Sequence, residues 1–282
     1  MTEPTATTAP HQQPGWDIEA LQREWVALLP GLTVQRLAAV DSTNTRLVER
    51  ARAGEAAPCL LVAEHQTAGR GRLGRVWQAR PGASLTFSLA LPLAPANWSG
   101  LSLAVGIALA EALDPPRVGA PPRLGLKWPN DLLVVDPRGH RKAGGILIET
   151  VTTDAARVAV IGVGLNLLPQ PVDAPSTGYG WLGEIDPALD AATALARVAP
   201  ALLRALLAFE REGFAPLREC YATRDLLAGQ AVTTTLADAA CGVADGVDDE
   251  GVLWVRAHGQ RHPVGSGEVS VRGAGIAGDR RC

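Results

Sequence analysis

The sequence predicts an α+β protein, a mixed sheet with flanking helices followed by a small β-barrel. Three observations lead there. From Ile18 to Phe209, helical apolar stripes are interspersed with strand-like runs, some alternating and some continuously apolar. Beyond Gly229 only short strand signals separated by Asp/Gly turns remain. Apolar residues at 47% against 20% charged supply a substantial core. A length of 282 residues suits one large domain with a small one, or two of medium size.

Residues 1–15 are rich in Thr, Pro, Ala and Gln and read as disordered. Asp17 is placed to cap a helix with Ile18, Leu21, Trp25 and Leu28/Leu29 at helical spacing, closed by Pro30-Gly31. A strand over Thr33–Val40 leads into Asp41-Ser42-Thr43-Asn44, and a second helix runs from Thr45 to Ala53 and stops at Gly54. Leu60–Ala63 is a buried strand, and Ser84–Leu91 alternates, with Leu85, Phe87, Leu89 and Leu91 on one side. Trp98–Leu113 is apolar nearly all round and reads as a buried helix. A meander follows, with strands at Leu124–Trp128, Leu132–Val135, Gly145–Thr150 and Arg157–Val163 and a type I turn at Asp136–Gly139. Leu167–Trp181 has no periodicity, and loops of that length inside compact domains are usually functional. Leu195, Val198, Leu202, Leu206 and Phe209 form a helical stripe that Pro200 is expected to kink. After a break at Leu226–Gly229, short strands at Gln230–Leu236, Gly242–Asp248, Val252–Ala257, Arg261–Val264 and Glu268–Arg272 predict a barrel of about 45 residues. The expected division is therefore 16–227 and 228–273, with 274–282 a frayed tail.

Composition excludes several classes. A net charge of −3 gives no general attraction to DNA or acidic membranes, so any anion site must be local. Cys59, Cys220, Cys241 and Cys282 lack zinc or redox spacing and read as reduced thiols of a cytoplasmic protein. No signal peptide is legible at the N-terminus, and the longest apolar stretches, such as Leu101–Leu113, are too short to span a bilayer. His65 and His140 have no partners at metal-ligand spacing and read as structural or solvated.

Chemistry concentrates in a few segments. Gly69-Arg70-Gly71-Arg72-Leu73-Gly74-Arg75-Val76-Trp77 follows a buried strand directly. Its glycines let backbone approach a ligand, and its arginines offer cationic forks to phosphate or carboxylate. It lacks the Gly-Lys-Ser/Thr of a phosphate-binding Walker loop, and no helix follows as a dinucleotide fingerprint requires. The competing reading is an Arg/Gly segment that touches RNA or is merely solvated. In Lys127-Trp128-Pro129-Asn130-Asp131 a lysine can face phosphate and Asp131 a Mg²⁺ ion. The same cluster also fits a polar strand turn with Trp128 in the core. Lys142, beside Gly144-Gly145 at the mouth of a strand, is placed to reach an oxyanion, though lysines there are usually just solvated. Gly162 and Gly164 thin a buried strand just before Asn166, as if something must come close.

In this order these segments resemble the biotin protein ligases, from about Asp41 to Arg272. Five motifs fall in register: Asp41-Ser42-Thr43-Asn44, Gln66 with Gly69–Trp77, Lys127–Asp131, Arg141–Glu149, and Gly164-Leu165-Asn166. Gly267–Arg272 resembles the end of that family's C-terminal barrel. The resemblance implies a catalytic domain of the class II aminoacyl-tRNA synthetase type with a Src-homology-3-like barrel. It implies biotin and ATP as substrates, Mg²⁺ as the metal, and biotinyl-5′-AMP as intermediate. A lysine of a biotin carboxyl carrier domain of acetyl-CoA carboxylase is the implied acceptor.

By the same resemblance, Ser42, Thr43, Asn44 and Gln66 meet the biotin head, whose ureido ring needs donors and acceptors alike. Arg70, Gly71 and Arg72 belong to the loop folding over the carboxylate and adenylate, and Lys142 contacts carboxyl and phosphate oxygens. The implied catalytic residues are Lys142, Arg70 and Arg72. Lys127, Asn130, Asp131, Gly144, Gly164 and Asn166 are assigned to the nucleotide and its surroundings, with Asp131 as metal ligand, and Trp181 closes over adenine. This sequence departs from the family pattern at His65, at Leu73 in place of an extra basic residue, and at Pro200. The forty residues before Asp41 are too few for a winged-helix repressor domain, so a ligase without specific DNA binding and without membrane attachment is expected, as monomer or homodimer. Two alternatives stay in view. One is a lipoate or octanoate ligase of the same fold; the other is a nucleic-acid-binding module, which the net acidity disfavours.

Overall fold

Two sheets carry the chain in the computed structural model, which describes residues 16, 18–154, 156–172, 178–265 and 272–273. The first has seven strands: β1 (Thr33–Val40), β2 (Cys59–Gln66), β3 (Ser84–Pro92), β4 (Leu124–Lys127), β5 (Asp131–Asp136), β6 (Gly139–Thr152) and β7 (Arg157–Asn166). Their order is β1-β2-β3-β7-β6-β5-β4. Only the β1–β2 pair is parallel; the rest of the sheet is antiparallel. Five helices accompany it: α1 (Ile18–Val26), α2 (Thr43–Arg52), α3 (Leu101–Leu113), α4 (Ala191–Glu212) and α5 (Arg218–Ala222). The second sheet holds β8 (Ala231–Thr233), β9 (Cys241–Val247), β10 (Leu253–Ala257), β11 (Gln260–Val264) and β12 (Arg272–Gly273), all antiparallel, in the order β11-β10-β9-β8-β12.

The large sheet has two unequal faces. Leu85, Phe87, Leu89 and Leu91 of β3, with Ile161, Val163 and Leu165 of β7, point into the main core under α1, α3 and α4. The opposite face is covered by α2 alone, through Leu47, Val48 and Ala51 against Leu61, Ala90, Val158 and Val160. Because side chains alternate along a strand, Ser88 of β3 and Gly162, Gly164 and Asn166 of β7 fall on that second face. There α2 leaves part of the sheet bare. α4 is apolar and long enough to cross a membrane by length and composition, yet half of its most apolar stretch is buried inside the fold. Leu195, Val198, Leu202 and Leu206 are fully enclosed there.

Several expected boundaries move. α2 starts two residues early, because the Ser42 hydroxyl caps it by accepting from Thr45 N at 3.4 Å. α3 starts at Leu101, since Gly100 at φ +78° ends the preceding turn. β6 begins at Gly139, so Lys142 lies inside a strand and not at its mouth; β7 extends to Asn166. α4 continues on both sides of Pro200, which has no N–H to give to the Ala196 carbonyl. α5 carried no periodicity long enough to be read. The cap at Asp17, most of the strand at Glu268–Arg272, and residues 1–15 and 274–282 lie outside the described residues. Cys59 and Cys220 are free thiols, whereas Cys241 is disulfide-bonded. The expectation of four reduced thiols therefore fails at Cys241; sequence spacing does not limit which thiols a fold brings within bonding reach.

The small sheet docks on the back of the Lys127–Asp131 turn. Trp128, 2% exposed, donates its indole N–H to the Gly251 carbonyl at 3.2 Å. Gly251 has φ +75°, and a Cβ there would lie 2.6 Å from Gly100 Cα. Gly246 in the same small sheet has φ +74° but open space around it. Gly246→Ala should cost about 1–2 kcal/mol, the price of a left-handed residue alone. Gly251→Ala should cost about 1–3 kcal/mol more from overpacking. Urea denaturation of the two variants measures the difference, and equal losses would show that the contact has slack.

Candidate functional site

The bare part of the second sheet face forms a cavity of about 470 Å³. The glycines make room for it. A Cβ on Gly162 would stand 2.5 Å from Asn44 Oδ1, and one on Gly164 2.4 Å from Trp77 Cε2. Only glycine lets the polar end of α2 and the Trp77 indole lie flat on β7.

One end of the cavity is neutral and densely hydrogen-bonded. Gln66 Oε1 accepts from Thr43 N at 2.7 Å and from Thr43 Oγ1 at 3.0 Å. Thr43 Oγ1 also lies 2.8 Å from Ser88 Oγ, which donates to Asn44 Oδ1 at 3.0 Å. Asn44 Nδ2 donates to Glu149 at 2.6 Å. Ser42, Thr43, Asn44, Gln66 and Ser88 are all buried. Groups of this kind are positioned by one another, so their remaining donors and acceptors face the cavity in set directions.

The other end is cationic. Arg70, Arg72, Arg75, Lys127 and Lys142 line the cavity, where among the described residues Asp131 supplies the one carboxylate. Lys142 Nζ donates to Asp131 Oδ1 at 2.6 Å. The orientation of Lys142 comes from a bulge in β6. Leu132 pairs with Gly144 and Leu133 with Lys142, leaving Ala143 as an extra residue. Ala143 packs in the main core, and a Cβ on Gly144 would meet Leu165 there. With two successive residues facing the core, Lys142 and Gly145 both turn to the cavity; a regular strand would aim the lysine into the core.

The Gly/Arg loop spans the two ends. A Cβ on Gly69 would strike the Trp77 carbonyl at 2.4 Å, and Trp77 N closes the loop by donating to Gly69 O at 2.9 Å. Arg70 forks onto Glu149 with two bonds of 3.2 Å. Arg72 crosses to Asn130 Oδ1 at 3.1 Å, and Asn130 is itself anchored to Ile146 O at 2.9 Å. Burial lowers the Arg72 pKa despite nearby Asp131. Leu73 takes φ 56° at the tip and is 56% exposed. The Tyr179 ring lines the cavity as well, its hydroxyl donating to Leu168 O at 2.9 Å, and burial pushes its pKa up to about 12.

The structure thus brings together Ser42, Thr43, Asn44, Gln66, Arg70, Gly71, Arg72, Lys127, Asn130, Asp131, Lys142, Gly164 and Asn166 around one cavity. Two expected residues are elsewhere. Gly144 serves the bulge and faces Leu165, and Trp181 sits behind Tyr179, stacked on it at 6.1 Å between centroids. Trp128 is in the core, as the competing reading had it, and also lines the cavity together with its neighbours. Ser88, Glu149, Trp77 and Tyr179 were missed as site residues. Ser88 was legible as a polar position on the non-core side of an alternating strand, and Glu149 as a lone charge in an apolar one. Among the described residues no cluster of three His, Cys, Asp or Glu could hold a metal alone.

Residues 37–166 match the Biotin/lipoate A/B protein ligase family, and residues 228–272 match the biotin protein ligase C-terminal domain. The chain is 38% identical to the bifunctional ligase/repressor BirA of Escherichia coli, over 87% of this chain and 76% of that protein. It is 36% identical to the biotin–[acetyl-CoA-carboxylase] ligase of Mycobacterium tuberculosis, over 83% of this chain and 86% of that protein. It belongs to the biotin protein ligase family. The Aquifex aeolicus biotin protein ligase, solved in complex with biotin and ATP, superposes with a TM-score of 0.69 at 27% identity, covering 87% of this chain and 100% of that one. The α+β class and the small C-terminal β-domain expected from the sequence are those of this ligase family.

Gly164 gives a direct test of how tightly the cavity wall is built. Gly164→Ala should destabilise the protein by about 1–3 kcal/mol through collision with the Trp77 indole. Trp77→Phe removes the indole atoms in the way and should recover part of that loss. A double-mutant cycle by urea denaturation reads the coupling, and strict additivity would show that Trp77 yields without cost.

Proposed function

We propose that the protein activates biotin with ATP and transfers it to a lysine of a biotin carboxyl carrier domain, that of acetyl-CoA carboxylase. One observation supports this most: a single cavity joins a neutral, hydrogen-bonding end to a cationic end three strand intervals away, roughly 14 Å at ordinary strand spacing. The neutral end suits the ureido ring, which offers both N–H and C=O. The cationic end suits a carboxylate and a triphosphate brought together.

In the first step a biotin carboxylate oxygen attacks the α-phosphorus of ATP. A C–O–P anhydride forms and pyrophosphate leaves. Both reactants are anions, and Lys142, Arg72 and Lys127 offset their repulsion. Arg72, tied to Asn130, keeps the loop across the cavity and limits access of water to the anhydride. In the second step the acceptor lysine's amine attacks the biotinyl carbonyl, forming an amide as AMP departs. Mg²⁺ is usually held by one or two carboxylates together with substrate phosphates, and Asp131 is the carboxylate that fits that role. When bound, the metal supplies charge neutralisation at phosphate oxygens. Asn166, Gly164 and Tyr179 lie on the nucleotide side of this arrangement. Dependence on ATP supports a cytoplasmic location.

A lipoate ligase is the second reading within the family. The neutral end disfavours it, because a dithiolane has no N–H or C=O to meet Thr43, Asn44, Gln66 and Ser88. Incubation with ATP, a carrier domain and labelled biotin or lipoate decides between them; labelling by lipoate alone would overturn the proposal.

Lys142→Ala should lower biotin-dependent exchange of pyrophosphate into ATP by about 10²–10³-fold, with the melting temperature nearly unchanged because no core cavity opens. Exchange within a few-fold of wild type would remove Lys142 from the chemistry. Arg72→Gly removes the bond to Asn130 and loosens the loop, so the adenylate should escape before transfer. Biotin incorporation into an unrelated lysine-rich protein should then rise above wild type. No rise, in a variant that still forms adenylate, would show that Arg72 does not retain it.

A further inference from the structure

The strand that carries Lys142 loses its neighbour just where the lysine stands. β7 ends at Asn166 and its last pairing on this side is Leu165 with Gly144, so the Lys142 backbone has no β7 partner. Residues 178–180, returning from the long loop, take the vacant place. Lys142 N donates to Gly178 O at 3.0 Å, and Gly180 N donates to Lys142 O at 2.9 Å. Asn166 Nδ2 secures the junction by donating to Lys142 O at 3.1 Å and Gly180 O at 3.0 Å. A segment of three residues joined by two ladder bonds is not stable by itself.

What holds it is the residue beside Lys142. Arg141 donates to Glu184 Oε1 at 2.8 Å and Oε2 at 2.6 Å, to Asp136 at 2.7 Å, and to the Tyr179 carbonyl at 3.3 Å. Its guanidinium also faces the Trp181 ring at 5.9 Å. The Arg141 and Glu184 side chains are only 14% and 9% exposed. Arg138 completes a balanced set of two cations and two carboxylates by pairing with Asp136 and Glu184. Burial pushes the Glu184 carboxyl up, but the bonds from Arg141, Trp181 N and Arg138 and the Arg141 charge together more than offset it, and the carboxyl stays below its ordinary value. Glu184 Oε1 further accepts from Trp181 N at 3.2 Å, so the clasp grips the returning segment on both sides of Gly180.

We propose that Arg141 and Glu184 are a positioning pair for the reaction: they hold residues 178–181 against β6 and thereby fix both the Lys142 backbone and the Tyr179 wall of the cavity. The kinetic part rests on the ligase reading above; the structural part does not. Neither residue touches the cavity, and a fork of parallel N–H groups is the geometry that a lone ammonium cannot copy.

The test uses the full chain with Glu184→Gln, Glu184→Asp and Arg141→Lys. Amide hydrogen exchange in the ligand-free protein should quicken at 141–144 and 178–184 in Glu184→Gln and Arg141→Lys, with the remaining core protected as in wild type. In pyrophosphate exchange, kcat should fall about 10–100-fold. KM for biotin should stay within about twofold, since the neutral end lies strands away. Glu184→Asp, which keeps the carboxylate, should recover most of the rate. Unchanged exchange at both segments would overturn the pair, whatever the enzyme's substrate proves to be. Quickened exchange with unchanged kcat would overturn its role in catalysis, as would a loss shared equally by kcat and the KM for biotin. Absence of any biotin-dependent turnover in wild type would instead overturn the ligase reading and leave the hydrogen-exchange result standing.

Discussion

One extra residue in β6 sets the geometry on which the rest depends. Ala143 and Gly144 both face the main core, and that insertion turns Lys142 from the apolar interior to the open face of the sheet. An unpaired lysine in that interior would face a heavy desolvation cost. On the open face it meets Asp131 instead, and the strand can remain continuous from Gly139 to Thr152. The pattern Lys-Ala-Gly-Gly is what makes this possible. Alanine fits the core and Gly144 accepts the close approach of Leu165, while Gly145 leaves space beside the lysine stem.

The same face is prepared along its whole width by subtraction. Gly162 and Gly164 remove side chains where Asn44 and Trp77 must lie against β7, and the single helix α2 covers only the half of the face nearer Val158 and Val160. What remains is a trough with neutral hydrogen-bonding groups over β2 and β3 and cations over β5 and β6. The Gly/Arg loop bridges the trough, held at one end by Glu149 and at the other by Asn130. A protein with a net charge of −3 thereby presents a locally positive site. Its two sheets are not independent in this. The turn that offers Asn130 and Asp131 is backed by Trp128, and Trp128 is satisfied by a carbonyl of the small sheet.

Periodicity alone located the core strands β3 and β7, because Leu85, Phe87, Leu89 and Leu91, or Ile161, Val163 and Leu165, must alternate to fill one core. It also located α4, whereas α3 was legible from an apolar run with no polar face. Their ends were less legible. Ser42 and Gly100 act as caps through local hydrogen bonding and a positive φ, which apolar spacing does not register. The start of β6 was placed six residues late because Gly139–Lys142 is polar; its pairing with β5 is a backbone matter, and its Lys142 borrows a partner from residues 178–180.

The sequence by itself determined which residue types would meet. Buried hydroxyls and amides next to a helix start, glycines alternating on one face of a strand, and arginines between glycines are local chemical facts, readable in order. Tertiary structure alone decided direction. Trp181 and Tyr179 stand two residues apart with equal aromatic character, yet only the tyrosine faces the cavity, because Arg141 and Glu184 hold the tryptophan behind it. Gly144 and Gly145 are adjacent and identical, and their register against β7 sends one to the core beside Leu165 and the other to the site beside Gly164. A strand's side chains change face with every residue, so a one-residue shift in register, set by pairing with distant strands, reverses the role of everything beyond it.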